Sequence, residues 1–225
     1  MPTRKITASP VKLTGIAPDG QQFESHLEED FFVLLRFNRN VKHWESHPIT
    51  IDWLDESGRV RKYTPDVLVE YKPDEVGAEP VWVLCEVKPD FDSDEDLPRK
   101  KLPRRETDAD NKLKWEAAER YAARRKWQFK VYRESDIRTP YLRNARFLLR
   151  FLERRSSMRG RQELLDILKT QGACTLARWV SPLASTPEQR ANFLPTCYRL
   201  IAEGYVKIDM SKILTLDSFC EYVNE

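Results

Sequence analysis

The chain has 225 residues, 40% of them hydrophobic and 33% charged, with a formal net charge of +2. That length suits one ordinary domain plus a small one, and the balance is that of a folded, soluble protein. No apolar stretch approaches membrane-spanning length, and the chain is not globally basic, so any DNA contact must come from local patches. Met1 to Thr7 lacks the apolar core of a signal peptide, and Cys85, Cys174, Cys197 and Cys220 are widely spread. The expectation is a cytoplasmic protein with buried, reduced thiols and no zinc site.

In chain order, residues 10–24 read as a short hairpin turning at Pro18-Asp19-Gly20. A helix begins near Ser25, an N-cap with Glu28 at the third helical position; Leu27, Phe31, Leu34 and Leu35 lie on its apolar face. Strands are expected over about 41–54, with Ile49, Ile51 and Trp53 alternating, then about 60–71 and about 80–88. Gly58 marks the turn between the first two, and the short connections favour an antiparallel meander. His26, His43 and His47 are assigned packing or surface roles, because Trp44 and Pro48 make helical metal-ligand geometry improbable there.

Residues 89–106 are charged and punctuated by proline. Asp90, Asp92, Asp94, Glu95 and Asp96 come first, followed by Arg99, Lys100, Lys101, Arg104 and Arg105. A solvated loop and a flap whose basic half meets DNA phosphates both fit this composition. A helix over roughly 108–126 carries Leu113, Ala117 and Tyr121 on one side, and residues 127–132 alternate as a fourth strand after a crossover. The next helix, from about 140 to 155, opposes an apolar face to Arg143, Arg146, Arg150 and Arg154, either a solvated stripe or a phosphate contact.

A second unit begins near residue 156. It contains helices over 162–170 and 175–180, a capping box at Thr186-Pro187-Glu188-Gln189, a helix restarting at Pro195 and a stop at Gly204. Residues 205–208 and 213–215 read as a two-stranded wing. The expected architecture is α/β: a mixed sheet flanked by helices over 1–155, and a small winged-helix-like domain over 156–225. That domain serves protein docking or DNA contact.

The chemistry concentrates in a split acidic motif. Tyr63-Thr64-Pro65-Asp66 opens one apolar run, and the run from Val81 to Cys85 ends in Glu86-Val87-Lys88. Charge at the end of a buried strand is costly and needs a reason, and alternation points Glu86 and Lys88 to the same side. A pair of carboxylates suits Mg²⁺, which activates water and phosphate for phosphodiester cleavage, while a nearby lysine stabilises developing charge. The helix starting at Ser25 offers a third acid. An ordinary surface ion pair is the competing account.

These segments together resemble TnsA, the endonuclease subunit of heteromeric transposases. The resemblance rests on Ser25 to Phe31, His47-Pro48, Tyr63 to Asp66, Glu86 to Pro89, and Phe129 to Arg138 followed by Asn144. It implies a restriction-endonuclease-like catalytic domain that cuts the non-transferred strands at transposon 5′ ends with Mg²⁺, for which Mn²⁺ can substitute. By position it implies Glu28, Asp66 and Glu86 as metal ligands and Lys88 as the catalytic lysine, with Glu29 as alternative to Glu28. It also implies a TnsB-like recombinase and a TnsC-like AAA+ regulator as partners. His47 departs from the family, which often has Gln there. A stand-alone nuclease of this fold and a non-catalytic winged-helix adaptor are the alternatives.

Overall fold

The computed structural model describes residues 14–73, 75, 77–90, 108–153 and 158–223, the side chains of 108–110 excepted. The basic residues Arg99, Lys100, Lys101, Arg104 and Arg105, and Arg154, lie outside the described residues. The chain divides into two compact units at Ile137/Arg138 in the sequence.

The first unit opens with the short antiparallel pair β1 (Gly15–Ile16) and β2 (Gln22–Phe23), then α1 (His26–Phe37). Ser25 caps α1: its hydroxyl accepts the Glu28 N–H at 3.1 Å. The return arm differs from a simple capping box, because the Glu28 carboxylate accepts the Glu24 N–H, at 2.8 Å, as well as the Ser25 hydroxyl at 2.9 Å. Buried Leu27, Phe31, Phe32, Val33 and Leu35 face inward from α1.

The sheet corrects the expected meander. The first long strand divides into β3 (Val41–Ser46) and β4 (Ile51–Leu54), and the second into β5 (Val60–Tyr63) and β6 (Val67–Tyr71). The breaks fall at His47-Pro48 and Thr64-Pro65, where proline removes a ladder donor. β4 and β5 form their own hairpin, closed by Gly58 at φ +75°, with the Asp55 carboxylate accepting from the Ser57 and Arg59 N–H groups. The main sheet runs β3-β6-β7-β8, with β7 spanning Val81–Lys88 and β8 Gln128–Arg133. Its first three strands are antiparallel and β7 and β8 are parallel, as the crossover helix α2 (Asp108–Ala123) requires. A one-turn helix α3 (Glu134–Ile137) follows.

Strand parity distributes the side chains. Trp44, Val69 and Val83 share ladder positions, as do Val67 and Cys85, while Leu68 pairs with Leu84 on the opposite face. On the Leu68–Leu84 face, Ile51 and Trp53 of β4, Tyr63 of β5, and Ala117 and Ala118 of α2 complete a buried cluster. Helix α1 brings Phe32 to 4.5 Å from Trp44 and Phe31 to 4.7 Å from Tyr132 between ring centroids. The inward stripe of α2 is Lys114, Ala117, Ala118 and Ala122, with Leu113 and Tyr121 only partly buried. The expected side of Leu113, Ala117 and Tyr121 does pack on this cluster, while the most buried stripe lies one position on and places a lysine inside.

The second unit contains α4 (Pro140–Glu153), α5 (Arg161–Gln171), β9 (Cys174–Thr175), α6 (Leu176–Val180), α7 (Pro187–Ala191), α8 (Leu194–Ala202), β10 (Val206–Lys207) and β11 (Phe219–Tyr222). Phe147 and Phe151 of α4 pack on Tyr198 of α8, and buried Trp179 donates its indole N–H to the Leu164 carbonyl at 2.7 Å. The capping box at Thr186 is present, and α8 restarts with Pro195 in its first turn. The wing differs from expectation: β10 pairs with β11, which also pairs with β9, and residues 213–215 are in no strand. Asn144 holds that stretch, donating to the Met210 and Lys212 carbonyls and accepting the Leu214 N–H. All four cysteines are buried and free, and no described helix is long and apolar enough to cross a membrane.

Candidate metal centre

Three segments converge beside the end of β7. The first turn of α1 supplies Glu28, the break after β3 supplies His47, and the residue before β6 supplies Asp66. Each offers a ligand atom, and these atoms lie within 4.8 Å of one another. The backbone ties two of the segments together, since the His47 N–H donates to the Asp66 carbonyl at 2.8 Å. His47 is buried, with φ +50°, a backbone region that costs energy for a residue with a side chain.

Two carboxyls this close and largely withdrawn from water resist ionisation. Burial holds the Asp66 carboxyl well above the usual carboxylate range, and the charges of Glu86 and Glu28 push the same way. The Val87 N–H, 2.7 Å from Asp66 Oδ2, and the Lys88 charge partly offset this. Burial raises Glu28 too, against the hydrogen bonds from Glu24 and Ser25. A divalent cation would supply the counter-charge that this donor set lacks, and two carboxylates with an imidazole are ligands such ions accept. The residues therefore fit a metal.

Glu86 stands next to this group, and its carboxylate is held from the protein side. Tyr63 donates its hydroxyl to Glu86 Oε2 at 2.6 Å, while the ammoniums of Lys88 and Lys114 lie 3.2 and 3.6 Å from Oε1. Parity explains the arrangement: Glu86 and Leu84 share the face that packs on α2 and the β4–β5 hairpin. The Lys88 side chain is 28% exposed and that of Lys114 only 3%. Glu29, the alternative to Glu28, lies toward solvent beside His26.

Residues 38–134 match a family model described as TnsA-like endonuclease N terminal. This stretch is a TnsA-like endonuclease domain. His47, Asp66, Glu86 and Lys88 fall inside it, while Glu28 precedes it. No curated protein matches the chain. The mixed four-stranded sheet agrees with the restriction-endonuclease-like fold that a TnsA-like domain implies.

Sequence reasoning missed three residues of this nuclease domain. The sequence suggests packing or a surface place for His47, but the turn at Pro48 brings it to Asp66. Tyr63 carries no chemical signal beyond its place in the Tyr63-Thr64-Pro65-Asp66 run, and Lys114 sits in a helix whose apolar pattern points to no site. A lysine in the Ala117–Ala118–Ala122 stripe was the available signal for the last.

In the second unit, Arg138, Thr139, Leu142, Arg143, Arg146, Phe147 and Arg150 line an open groove of about 340 Å³. Three of the four arginines expected on this stripe therefore share one concave surface, joined by Arg138.

Proposed function

We propose that the chain is the strand-cutting subunit of a heteromeric transposase. It hydrolyses the phosphodiester of the non-transferred strand at transposon 5′ ends, alongside a TnsB-like recombinase and a TnsC-like AAA+ regulator. The observation that carries this is the Glu28–His47–Asp66 group, with Glu28 and His47 buried and Asp66 half-buried, set beside Glu86 and Lys88, inside and adjoining a TnsA-like endonuclease domain.

Glu28, His47 and Asp66 would hold a divalent ion, with Glu86 alongside. Such an ion supplies Lewis-acid activation of the phosphate and of the attacking water. The residues of the chain do the rest. Tyr63 and Lys114 fix Glu86, so the carboxylate keeps one orientation as substrate enters. Lys88 is exposed enough to reach solvent while close enough to Glu86 to stay aligned, which suits it to stabilise charge building on the scissile phosphate. Arg143, Arg146 and Arg150 suit the sugar–phosphate backbone, where planar guanidiniums bind bidentately. The C-terminal unit, with its helices and small β9–β11–β10 ladder, would serve as the winged-helix-like docking module for regulator or DNA.

The test is nicking at labelled transposon ends in a mixture containing the partner recombinase and regulator. Metal-dependent 5′-strand cleavage that disappears with Asp66→Ala, while 3′-strand cutting persists, is the expected result. Unchanged 5′-strand cutting by Asp66→Ala would overturn the assignment. Robust cleavage of plasmid by the chain alone would instead indicate a stand-alone nuclease.

A further inference from the structure

The donor set at the centre is not all oxygen. Mg²⁺ prefers carboxylates, carbonyls and water, gives up its hydration reluctantly, and gains little from an imidazole. First-row transition ions accept imidazole nitrogen readily and follow an affinity order in which Mn²⁺ is the weakest and hardest. An imidazole among three convergent donors therefore favours such ions over Mg²⁺.

Three observations mark His47 as built for this position. First, its ring shares a 4.8 Å neighbourhood with the carboxylates of Glu28 and Asp66. Second, His47 lies just past the end of β3 yet is only 3% exposed. Its backbone is left-handed immediately before Pro48, where an extended conformation is the rule. Third, the His47 N–H bonds the Asp66 carbonyl, so the residue that brings the imidazole is tied to the residue that brings a carboxylate. Conformational strain beside a candidate ion site, coupled to a ligand-bearing neighbour, is a geometry that a simple packing residue does not need.

We propose that His47 ligates the bound ion through a ring nitrogen, and that the centre therefore selects a first-row transition ion, Mn²⁺ being the least demanding, over Mg²⁺. This deepens the nuclease assignment and rests on it for the existence of the centre, though not for the choice of ion.

The experiment uses the untagged full chain with MnCl₂ and MgCl₂ as probes. Calorimetry gives the affinity of each ion, and electron spin-echo modulation of the Mn²⁺-loaded protein reads directly whether nitrogen-14 is bonded to the ion. Neither measurement depends on cleavage. Wild type is expected to bind Mn²⁺ at least tenfold more tightly than Mg²⁺ and to show nitrogen modulation. In His47→Gln, which keeps a polar side chain of similar reach, the modulation should disappear and the preference should fall about tenfold. The double variant His26→Gln/His43→Gln should keep both, since those imidazoles lie outside the group. Mn²⁺ bound without nitrogen modulation in wild type would overturn the inference and leave the nuclease assignment standing. So would an unchanged ion preference in folded His47→Gln. Absence of any Mn²⁺ or Mg²⁺ binding by wild type, or Mn²⁺ binding unaltered by Asp66→Asn, would remove the centre itself and both conclusions with it. The wild-type spectrum decides the matter even if a variant fails to fold.

Discussion

Lys114→Met is the most searching test of how Glu86 is held. The ammonium lies 3.6 Å from Glu86 Oε1 and 5.0 Å from the centre of the Tyr63 ring, on a side chain only 3% exposed. Removing one partner of a buried pair costs about 3–5 kcal/mol when it strands the other charge. Here Glu86 is not stranded, because the Tyr63 hydroxyl at 2.6 Å and the Lys88 ammonium at 3.2 Å remain. Methionine also fills the space of the lysine stem and is spared the cost of burying a charge. The expected loss is therefore reduced to about 2 kcal/mol. With a urea m-value of about 2 kcal/mol/M, the midpoint falls by about 1 M. Tryptophan fluorescence follows it, since Trp44, Trp53, Trp82, Trp115 and Trp127 all belong to the first unit. Lys88→Met, at a more exposed position, should cost about 1 kcal/mol or less. A Lys114→Met midpoint equal to or above wild type would mean that desolvation of the ammonium outweighs its attraction to Glu86. Its role as a clamp would then be refuted, as it would if Lys88→Met proved the costlier change.

Other consequences are as direct. In metal-free protein the raised Asp66 and Glu28 carboxyls bind protons more tightly folded than unfolded. Their contribution to stability is thus fully present below the ordinary carboxylate range and is lost as pH rises through their elevated folded values. Asp66→Asn should accordingly raise the urea midpoint of the metal-free protein at pH 7, with the gain shrinking toward pH 4; a gain that grows on acidification would contradict the sign. Ser25→Ala removes both the acceptor for the Glu28 N–H and the donor to Glu28 Oε1. It should cost about 1 kcal/mol in thermal unfolding and weaken Mn²⁺ binding in calorimetry, because Glu28 loses a restraint. Asn144→Ala leaves the Met210 and Lys212 carbonyls and the Leu214 N–H without their side-chain partner. A loss of about 2–3 kcal/mol is expected for the second unit, read by the fluorescence of Trp179. Arg143→Glu/Arg150→Glu should weaken binding of duplex DNA of any sequence and flatten its salt dependence in anisotropy titrations. Sequence-selective loss would argue against a backbone contact.

What could be read from the chain was local. The Ser25 cap sets the register of α1 and turns Glu28 inward and Glu29 outward, and parity alone aligned Glu86 with Lys88. The Thr186 capping box and the Pro195 restart were likewise carried by neighbouring residues. What escaped was pairing at a distance. Apolar alternation runs across both proline breaks, so residues 41–54 and 60–71 each looked like one strand. In the structure each splits into a half that joins the main sheet and a half that folds over it as the β4–β5 hairpin. The wing failed for a related reason. Residues 213–215 have strand-like composition, but the Asn144 side chain holds the neighbouring backbone, and β11 takes the pairing instead.

The two proline breaks also account for the centre. The β3–β6 register, with Ser46 opposite Val67, sets residue 47 opposite residue 66, and the two breaks end the ladders just beyond. By ending both ladders at the same level, His47-Pro48 and Thr64-Pro65 place an imidazole and a carboxylate side by side, joined by one backbone hydrogen bond. The same breaks release β4 and β5 to cover the Leu84–Glu86 face, which delivers the Tyr63 hydroxyl to Glu86. One structural device thus assembles the ligands and holds their acidic neighbour. Pro65→Ala should therefore weaken Mn²⁺ binding in calorimetry, because the donors lose their common level; an unchanged affinity would refute this role for the break.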